Sequence, residues 1–544
     1  MPQLPPSDDL STHEVTNQPP ARDDVDLWAG DAALRDHATA AGADVAHLAG
    51  YGAMLGRAEM RQAGRDANHH PPEAVLFDAG GRRLDEVAFH PAWHRLMAAG
   101  LEGGYAAIPW QGAAGGHATH AAMVYLTTQV EPGVCCPMTM TYAAVPALRA
   151  DAGLFAQWGP KLTARGYDPL IRPLAEKSAA TMGMAMTEKQ GGSDVRANTT
   201  RAERTDDGWR LTGHKWFCSA PMSDGFLTLA QAPGGLTCFV VPRWLETGRN
   251  AIRIQRLKDK LGNRANASAE IEYAGALAHR LGNEGEGVRT IIEMVHHTRL
   301  DTAMAPAGLM RAALAEALHW VRHRSAFQRR LIDQPLMRVV LADLALDWEG
   351  TLALGMRVAR SFDGADEEDR AFARLGVALA KFLGNKLCPN IIYEAMEVMG
   401  GMGYVEDTAM PMLYREAPLN SIWEGSGNVI CLDILRTLAR MPAAADAVDA
   451  ELDAMTGRDR RYDAALAAHR ARFATLPNEG QARAFVESLA TLLTAAALLG
   501  QAPAAVAEGY VATRLGGGRG RVAGALGEGS EVDTTAILAR LGEG

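Results

Sequence analysis

A carboxylate in a glycine-rich loop is the residue of this chain whose surroundings in sequence best suit chemistry. Glu424 stands in the segment IWEGSGN, Ile422 to Asn428, where two glycines allow the backbone to approach a ligand closely. A helical pattern follows at once, so Ser426 or Asn428 is expected to cap a helix whose N-terminus favours phosphate. Taken alone, the segment is equally compatible with a helix cap that carries an exposed glutamate.

Three other segments have residues that could hold a planar or anionic ligand. A turn in MTEKQGGSD exposes backbone N–H groups and a hydroxyl. In GHKWFCSAP, aromatic side chains stand beside Ser219, which suits a stacked ring with a hydrogen-bonded edge. MGGMGY ends a long helical pattern. Each segment alone is also explained as a plain turn, a core strand or a helix stop.

Composition limits what kind of protein can carry these segments. The chain has 544 residues, which suggests three or four domains, and its net charge of −10 gives no overall sign of nucleic-acid binding. Six cysteines without metal-ligand spacing predict reduced thiols, no metal site and a cytoplasmic location. The N-terminus lacks the pattern of a signal peptide, and we expect no membrane span.

The hydrophobic period divides the chain into regions that must position these segments. Residues 1–24 are predicted to be a flexible arm, and residues 25–180 a helical domain that includes a short hairpin with a Gly-Gly turn. Residues 181–282 have the two-residue period of a β-barrel or sandwich. Residues 283–440 predict a bundle of four long helices, and residues 441–544 a helical appendage. The fold class is therefore α+β and multidomain.

The order of the four segments resembles that of the acyl-CoA dehydrogenase superfamily. MTEKQGGSD, HKWFCSA, RSAFQRRLIDQPLMR, MGGMGY and IWEGSGN are similar to motifs of that family, and they fall between Gly183 and Arg440. MTEKQGGSDV, RLKDKLGNR, NSIWEGSGN and the N-terminal HHPPEAVLFDAGG are more similar still to its AidB branch, the flavoproteins of the adaptive response to DNA alkylation. With the appendage, this resemblance covers nearly the whole chain.

The resemblance implies a fold, a cofactor and a reaction. The fold is an N-terminal helical domain, a central β domain and a C-terminal four-helix bundle, with FAD as cofactor. Glu424 corresponds to the base that takes the α-proton of an acyl thioester. Some relatives carry this base on an earlier helix, where this chain has Thr298.

The resemblance also implies which residues contact FAD. Some belong to the β domain, some reach across a subunit interface, and some flank the base. They are Met184, Met186, Thr187, Gly192, Ser193, Phe217 and Ser219; Arg324, Phe327, Gln334, Gly400 and Gly401; and Ile422, Trp423, Gly425, Ser426 and Asn428.

Two features separate this chain from an ordinary fatty acyl-CoA dehydrogenase. Trp423 stands where a smaller aromatic residue is usual and would crowd the acyl pocket, so we expect weak activity on a short branched substrate such as isovaleryl-CoA. The appendage of AidB-like proteins is associated with double-stranded DNA. Here it has ten arginines, no lysine and thirteen acidic residues, so a solvated helix face is the simpler explanation of its composition. The candidate DNA contacts are Arg458, Arg461, Arg514, Arg519 and Arg521.

The resemblance further implies a homotetramer. The alternative to an AidB-like function is a metabolic dehydrogenase of short or branched acyl-CoA.

Overall fold

The N-terminal domain is helical except for one hairpin. The structure, a computed structural model, describes residues 6–527 and 532–542. Several helices begin where an aspartate accepts a backbone N–H, as Asp31, Asp44 and Asp151 do. The elements are α1 (Ala32–Ala40), α2 (Val45–Leu55), α3 (Ala58–His69), β1 (Glu73–Phe77), β2 (Arg83–Ala88), α4 (Pro91–Glu102), α5 (Gly116–Thr128), α6 (Cys135–Leu148) and α7 (Ala152–Leu162).

The N-terminal arm is not free of the body, contrary to the prediction. The Asn17 carboxamide donates to the Ser325 carbonyl at 2.9 Å and accepts the Ser325 N–H at 2.7 Å. The Asn17 carbonyl accepts from Arg324 at 2.9 Å. Arg22 forms an ion pair with Glu316 at 2.6 Å. Hydrogen bonds and an ion pair of these polar residues therefore hold the arm against the helical domain, and composition alone does not predict such contacts. Residues 1–5 of the predicted arm lie outside the described ranges.

The β domain is a seven-stranded sheet that closes on itself. Strand β7 pairs with both β6 and β11, which joins five strands, β11, β5, β4, β6 and β7, into a ring. Its interior is apolar, with Phe226, Phe239 and Ile271 buried. The strands are β3 (Met182–Ala185), β4 (Arg201–Thr205), β5 (Gly208–Ser219), β6 (Gly225–Ala232), β7 (Gly235–Pro242), β8 (Trp244–Leu245), β9 (Gly248–Arg249), β10 (Ile252–Leu257) and β11 (Ser268–Leu281), of which the short β8 and β9 pair only with each other.

Long helices form the C-terminal domain, as the hydrophobic period predicts. Buried leucines and alanines pack α8, α9 and α10 together, and the short β12 and β13 join the first two. The elements are α8 (Gly287–His323), β12 (Ser325–Ala326), β13 (Arg329–Arg330), α9 (Pro335–Asp363), α10 (Glu367–Val398), α11 (Met410–Glu416) and α12 (Gly427–Arg440). These layers confirm the predicted fold class.

The appendage packs on the bundle rather than standing apart. Its helices are α13 (Pro442–Asp453), α14 (Arg460–Arg472), α15 (Ala482–Gln501), α16 (Ala504–Tyr510) and α17 (Thr534–Arg540). One segment, Glu479–Gln501, is long and apolar enough to cross a membrane by length and composition alone. However, 67% of its most apolar window is buried inside the protein, as in a core helix.

Candidate active site

Glu424 lies in a strained loop just before α12. Its φ of 56° is in the left-handed region, which a glutamate rarely adopts, and Gly425 follows with a φ of 98°. A Cβ on Gly425 would lie 3.1 Å from the Ile430 side chain, so the glycine allows the loop to turn close to the helix. Such strain persists where surrounding contacts impose it, and it is frequent at functional sites.

Two buried cations impose this conformation from behind the loop. The Lys381 ammonium, on α10, donates to the carbonyls of Asn420, Trp423 and Gly425 at 2.9, 3.0 and 2.9 Å. Arg299, on α8, donates to the Glu424 carbonyl at 3.3 Å and forms an ion pair with Asp433 at 2.7 Å. Burial lowers the pKa of Lys381 to about 7, and the charge of Glu424 opposes that shift.

Lys381 and Arg299 were missed by the sequence reasoning. Lys381 stands alone in the apolar run VALAKFLGN, and an isolated charge at a buried helical position is the one signal that could have singled it out.

Burial and neighbouring groups act in opposite directions on the pKa of the Glu424 carboxyl. Burial raises its pKa, while the hydrogen bond from Thr298 and the charges of Lys381 and Arg299 lower it by less. The Thr298 hydroxyl donates to Oε2 at 2.8 Å. A raised pKa brings a carboxylate towards the range in which it can take a proton near neutral pH. Thr298 therefore contacts the candidate base directly.

The β domain presents a surface that suits a flavin ring. Met184, Met186 and Thr187 are partly exposed on β3 and just beyond it. Phe217, at the end of β5, is 47% exposed and lies under the Lys258 ammonium, 4.7 Å from its ring centroid. Ser219 is partly buried, with its hydroxyl 3.4 Å from that of Ser268. An apolar ring exposed beside donors is what a planar cofactor would cover.

The turn of MTEKQGGSD is held by a buried ion pair and leaves its tip open. Lys215 donates to Glu188 at 2.8 Å, and the Thr199 N–H donates to Glu188 at 2.7 Å. Burial opposes ionisation of Glu188, but Lys215 and these hydrogen bonds lower its pKa to about 2. Gly192 and Ser193 are exposed at the tip, where their backbone can approach a phosphate.

The residues expected at a subunit interface lie on an exposed surface of the helical domain. Phe327 is 93% exposed with a φ of 52°, and Gly400 and Gly401 have open space beside them. Gln334 donates to the Ala326 carbonyl at 3.1 Å, and Arg324 lies 5.2 Å from the Trp320 ring centroid. Within the described part of the chain, the side chains of Arg324 and Gln334 bond to the Asn17 and Ala326 carbonyls rather than to the Glu424 loop.

The residues that flank Glu424 take roles that differ from those expected of caps. Ser426 is in the N-cap position but makes no side-chain capping bond, and Asn428 lies inside α12, so neither side chain caps the helix. The Asn428 side-chain oxygen instead accepts from Arg483 of the appendage at 2.8 Å. The Trp423 indole donates to Asn420 at 2.6 Å, which fixes the ring beside the base, and Ile422 is exposed.

Comparison with known proteins identifies the domains of this chain. Residues 17–169 match the family "Adaptive response protein AidB N-terminal domain", and residues 183–276 and 285–439 match the middle and C-terminal domains of acyl-CoA dehydrogenase. The chain is 48% identical over 463 residues to the putative acyl-CoA dehydrogenase AidB of Escherichia coli K12, covering 84% of this chain and 86% of that protein.

Two solved structures are similar to this one. The Caenorhabditis elegans ACDH-11 in complex with C11-CoA has a TM-score of 0.81 at 25% identity, covering 98% of this chain and 93% of that one. The Bacillus anthracis acyl-CoA dehydrogenase complexed with FAD has a TM-score of 0.62 at 16% identity, covering 78% and 77%, which supports the fold.

The chain belongs to the AidB branch of the acyl-CoA dehydrogenase superfamily. Its cofactor is FAD, as in the other proteins of this superfamily, and the exposed Phe217 with its neighbours on β3 fits the flavin ring. In the described residues no group of three or more histidine, cysteine or acidic side chains could hold a metal.

The five arginines of the appendage that were predicted to contact DNA are not equally exposed. Arg514 is 7% exposed and forms ion pairs with Asp343 and Asp347 at 2.5 and 2.7 Å. Arg519 contacts Asp343 at 2.9 Å, and Arg461 pairs with Asp459 at 2.7 Å. Internal carboxylates therefore already neutralise Arg514 and Arg519. Of the five candidate DNA contacts, Arg458 and Arg521 are exposed.

Proposed function

We propose that this protein is an FAD-containing AidB-like enzyme that dehydrogenates a short branched acyl-CoA weakly, binds double-stranded DNA and limits alkylation damage. The observation that supports the catalytic part is the Glu424 carboxyl, partly buried, hydrogen-bonded by Thr298 and with a raised pKa. An acyl α-C–H is weakly acidic, so its proton must be taken as hydride leaves the β-carbon. FAD supplies the hydride acceptor when bound. Lys381 and Arg299 hold the loop so that the base stays in place.

Trp423 supports a small substrate and a low rate. Its indole is fixed on Asn420 beside the base, so it restricts the space that an acyl chain could occupy. The test is anaerobic mixing of the FAD-loaded protein with isovaleryl-CoA and with octanoyl-CoA, followed at the flavin absorption band. We expect slow bleaching with isovaleryl-CoA, none with octanoyl-CoA, and bleaching by isovaleryl-CoA that is at least about a hundredfold slower in Glu424→Gln. Trp423→Phe is the matched variant and should admit the longer chain. Absence of bleaching by isovaleryl-CoA in the loaded wild-type protein would contradict the proposal.

DNA binding is supported by the adaptive-response family of the N-terminal domain and by the exposed Arg458 and Arg521. Affinity for a short duplex should fall steeply with salt, because neutralising phosphates releases counterions. Fluorescence anisotropy of the full chain across a salt series measures this slope. The double variant Arg458→Ala/Arg521→Ala should have a shallower slope of log affinity against log salt concentration. The slope should change by roughly one for each phosphate that the variant no longer neutralises. Arg82→Ala, an exposed arginine of the N-terminal domain, is the control. A flat salt response would rule out the DNA-binding part.

Protection against alkylation is measured separately from binding. Duplex DNA is exposed to a methylating agent with and without the protein, and N-methylated bases are counted. Fewer lesions with the wild-type protein than with the double arginine variant support the proposal, and equal numbers contradict it.

We also propose a homotetramer in the cytoplasm. The nearly fully exposed Phe327 and the exposed Tyr404 suit burial against another subunit, and all six cysteines are unpaired thiols. Light scattering during size exclusion tests the tetramer.

The second candidate function, a metabolic dehydrogenase of short or branched acyl-CoA, is favoured by the intact base and its Thr298 contact. Rapid turnover of an acyl-CoA together with no DNA affinity would favour it over the first.

A further inference from the structure

A cavity of about 310 Å³ lies between the N-terminal domain and the β domain. Its walls come from the end of β2, from α4, from the first turn of α6 and from the segments that flank β3 and follow β5. None of the residues assigned above to the base, the flavin, the subunit interface or DNA lines it. It is therefore separate from the candidate active site.

Aromatic and thioether side chains dominate one wall. The rings of Phe89 and Trp93 stack with centroids 3.9 Å apart, and Tyr167 meets Trp93 edge-on at 6.4 Å. Met97 and Met222 complete this surface, and methionine adapts its shape to a flat guest. Such a wall suits the face of an aromatic molecule.

Charged side chains also line the cavity, but each is already neutralised. Lys177 pairs with Asp224 at 3.0 Å, Asp168 with Arg172 at 2.8 Å, and Arg243 with Glu86. Burial lowers the pKa of His94, which favours the neutral ring, and His94 is hydrogen-bonded to the Tyr167 hydroxyl at 2.6 Å. A charged guest would find no opposite charge left to pair with, and burying an unpaired charge is costly.

Two buried polar groups of the wall lack a partner. Neither the Trp93 indole N–H nor the Ser223 hydroxyl has a hydrogen bond among the described residues. Buried polar groups are almost always paired in folded proteins, and both residues line the cavity, so a guest with an acceptor would satisfy either group after a small movement of its side chain. A water molecule takes up about 30 Å³ in the liquid, so the cavity has room for roughly ten waters. A guest of about the same number of non-hydrogen atoms would therefore fit.

We propose that this cavity binds an uncharged two-ring aromatic molecule that carries a hydrogen-bond acceptor. Leu170 and Ile171, 56% and 49% exposed, form the apolar rim through which it enters. The cavity adjoins the segments of the candidate flavin surface, because Thr181 lies just before β3 and Ala220 just after Ser219. The inference is independent of the proposed acyl-CoA and DNA functions.

The test is calorimetric titration of the FAD-loaded full chain with two matched probes. Coumarin is uncharged, has two rings and carries a carbonyl, whereas coumarin-3-carboxylate adds one negative charge. We expect coumarin to bind saturably at one site per chain and the carboxylate to bind about tenfold more weakly or worse. FAD content should not change during the titration, which excludes displacement of the flavin. Equal binding of the two probes, or no saturable heat with coumarin, overturns the inference.

Two variants locate the probe in the cavity. Ile171→Trp narrows the rim and should abolish coumarin binding, whereas Leu476→Trp, at a similarly exposed leucine of the appendage, should not. Trp93→Phe keeps the stacked ring but removes the N–H, so coumarin should bind about three- to tenfold more weakly. Coumarin binding that neither variant changes would place the probe elsewhere and overturn the inference. Flavin bleaching by isovaleryl-CoA on the same preparation keeps that result distinct from a failure of the catalytic proposal.

Discussion

Two regions of the molecule place cations near a carboxylate: the Glu424 loop, where the carboxylate is partly buried, and the contact between α9 and the glycine-rich segment of the appendage, where Asp343 is fully buried. The pKa values of these two carboxylates shift in opposite directions. Burial raises the pKa of each. At Asp343 the charges of Arg514 and Arg519 and the Gly524 N–H outweigh burial, so its pKa is lowered. At Glu424 the nearby cations donate to main-chain carbonyls rather than to the carboxyl, and its pKa stays raised. The direction in which a cation donates its N–H groups therefore decides whether the pKa of a neighbouring carboxyl is lowered. A carboxyl whose pKa stays raised remains able to take a proton near neutral pH.

The largest effect, on the rate of flavin reduction, should come from removing the carboxyl of Glu424. Glu424→Gln keeps the shape of the side chain but removes the base, so flavin reduction by acyl-CoA should slow by about 10²- to 10⁴-fold. Stopped-flow absorbance measures the rate, and FAD content serves as the folding control. A loss of FAD together with the rate would mean that Glu424 supports the loop rather than the chemistry.

Removing Arg514 from its ion pairs with Asp343 and Asp347 should lower the stability of the fold and leave the flavin chemistry intact. Arg514→Met leaves Asp343 and Asp347 with less compensating charge, and breaking a buried pair in this way costs about 3–5 kcal/mol. Urea unfolding measures the change. Arg458→Met, at an exposed arginine, is the control and should stay within about 0.5 kcal/mol of wild type. Equal effects of the two substitutions would show that the Arg514 contacts are not structural.

Removing Lys381 should affect both properties moderately. Lys381→Met leaves three carbonyls of the Glu424 loop without their donor, which should cost about 1–3 kcal/mol. It also removes a charge that lowers the pKa of Glu424, so the pH profile of flavin reduction should move to higher pH. Lys386→Met, one to two turns further along α10, is the matched control, because Lys386 donates to the Ser421 hydroxyl instead. An unmoved profile in Lys381→Met would mean that Lys381 does not act on the base.

The smallest effect should be on how the free energy of unfolding depends on pH. The contributions of Glu424 and Asp343 to this dependence should have opposite signs. Unfolded values are 4.5 for Glu424 and 3.8 for Asp343. A raised folded pKa stabilises the fold below 4.5, and this contribution is lost as pH rises through the folded value. A lowered folded pKa stabilises the fold above 3.8, and this contribution is lost as pH falls through the folded value. As pH rises above 4.5, Glu424→Gln should therefore flatten a decline in stability. Asp343→Asn should remove stability throughout that range. Chemical unfolding at several pH values checks both signs.

The two regions also show what could be predicted from the sequence. The pattern of IWEGSGN is complete within seven residues, so the position of Glu424 just before a helix could be predicted from the local sequence alone. The role of Arg514 could not, because its partner Asp343 is 171 residues away and on another helix. The same holds for Lys381, whose three acceptors lie about 40 residues further along the chain. Long helices and strands follow from hydrophobic period, whereas ion pairs between distant helices depend on packing that the sequence does not display.

The left-handed backbone of Glu424 has a consequence for engineering. A glutamate at a φ of 56° is disfavoured relative to glycine or asparagine, so the fold carries a local energetic cost where its base stands. A search that selects variants by melting temperature alone would replace this residue early. With Glu424 in its proposed role, stability and activity are opposed at this backbone angle, and a more thermostable form of the protein has to be sought by substitutions elsewhere in the chain.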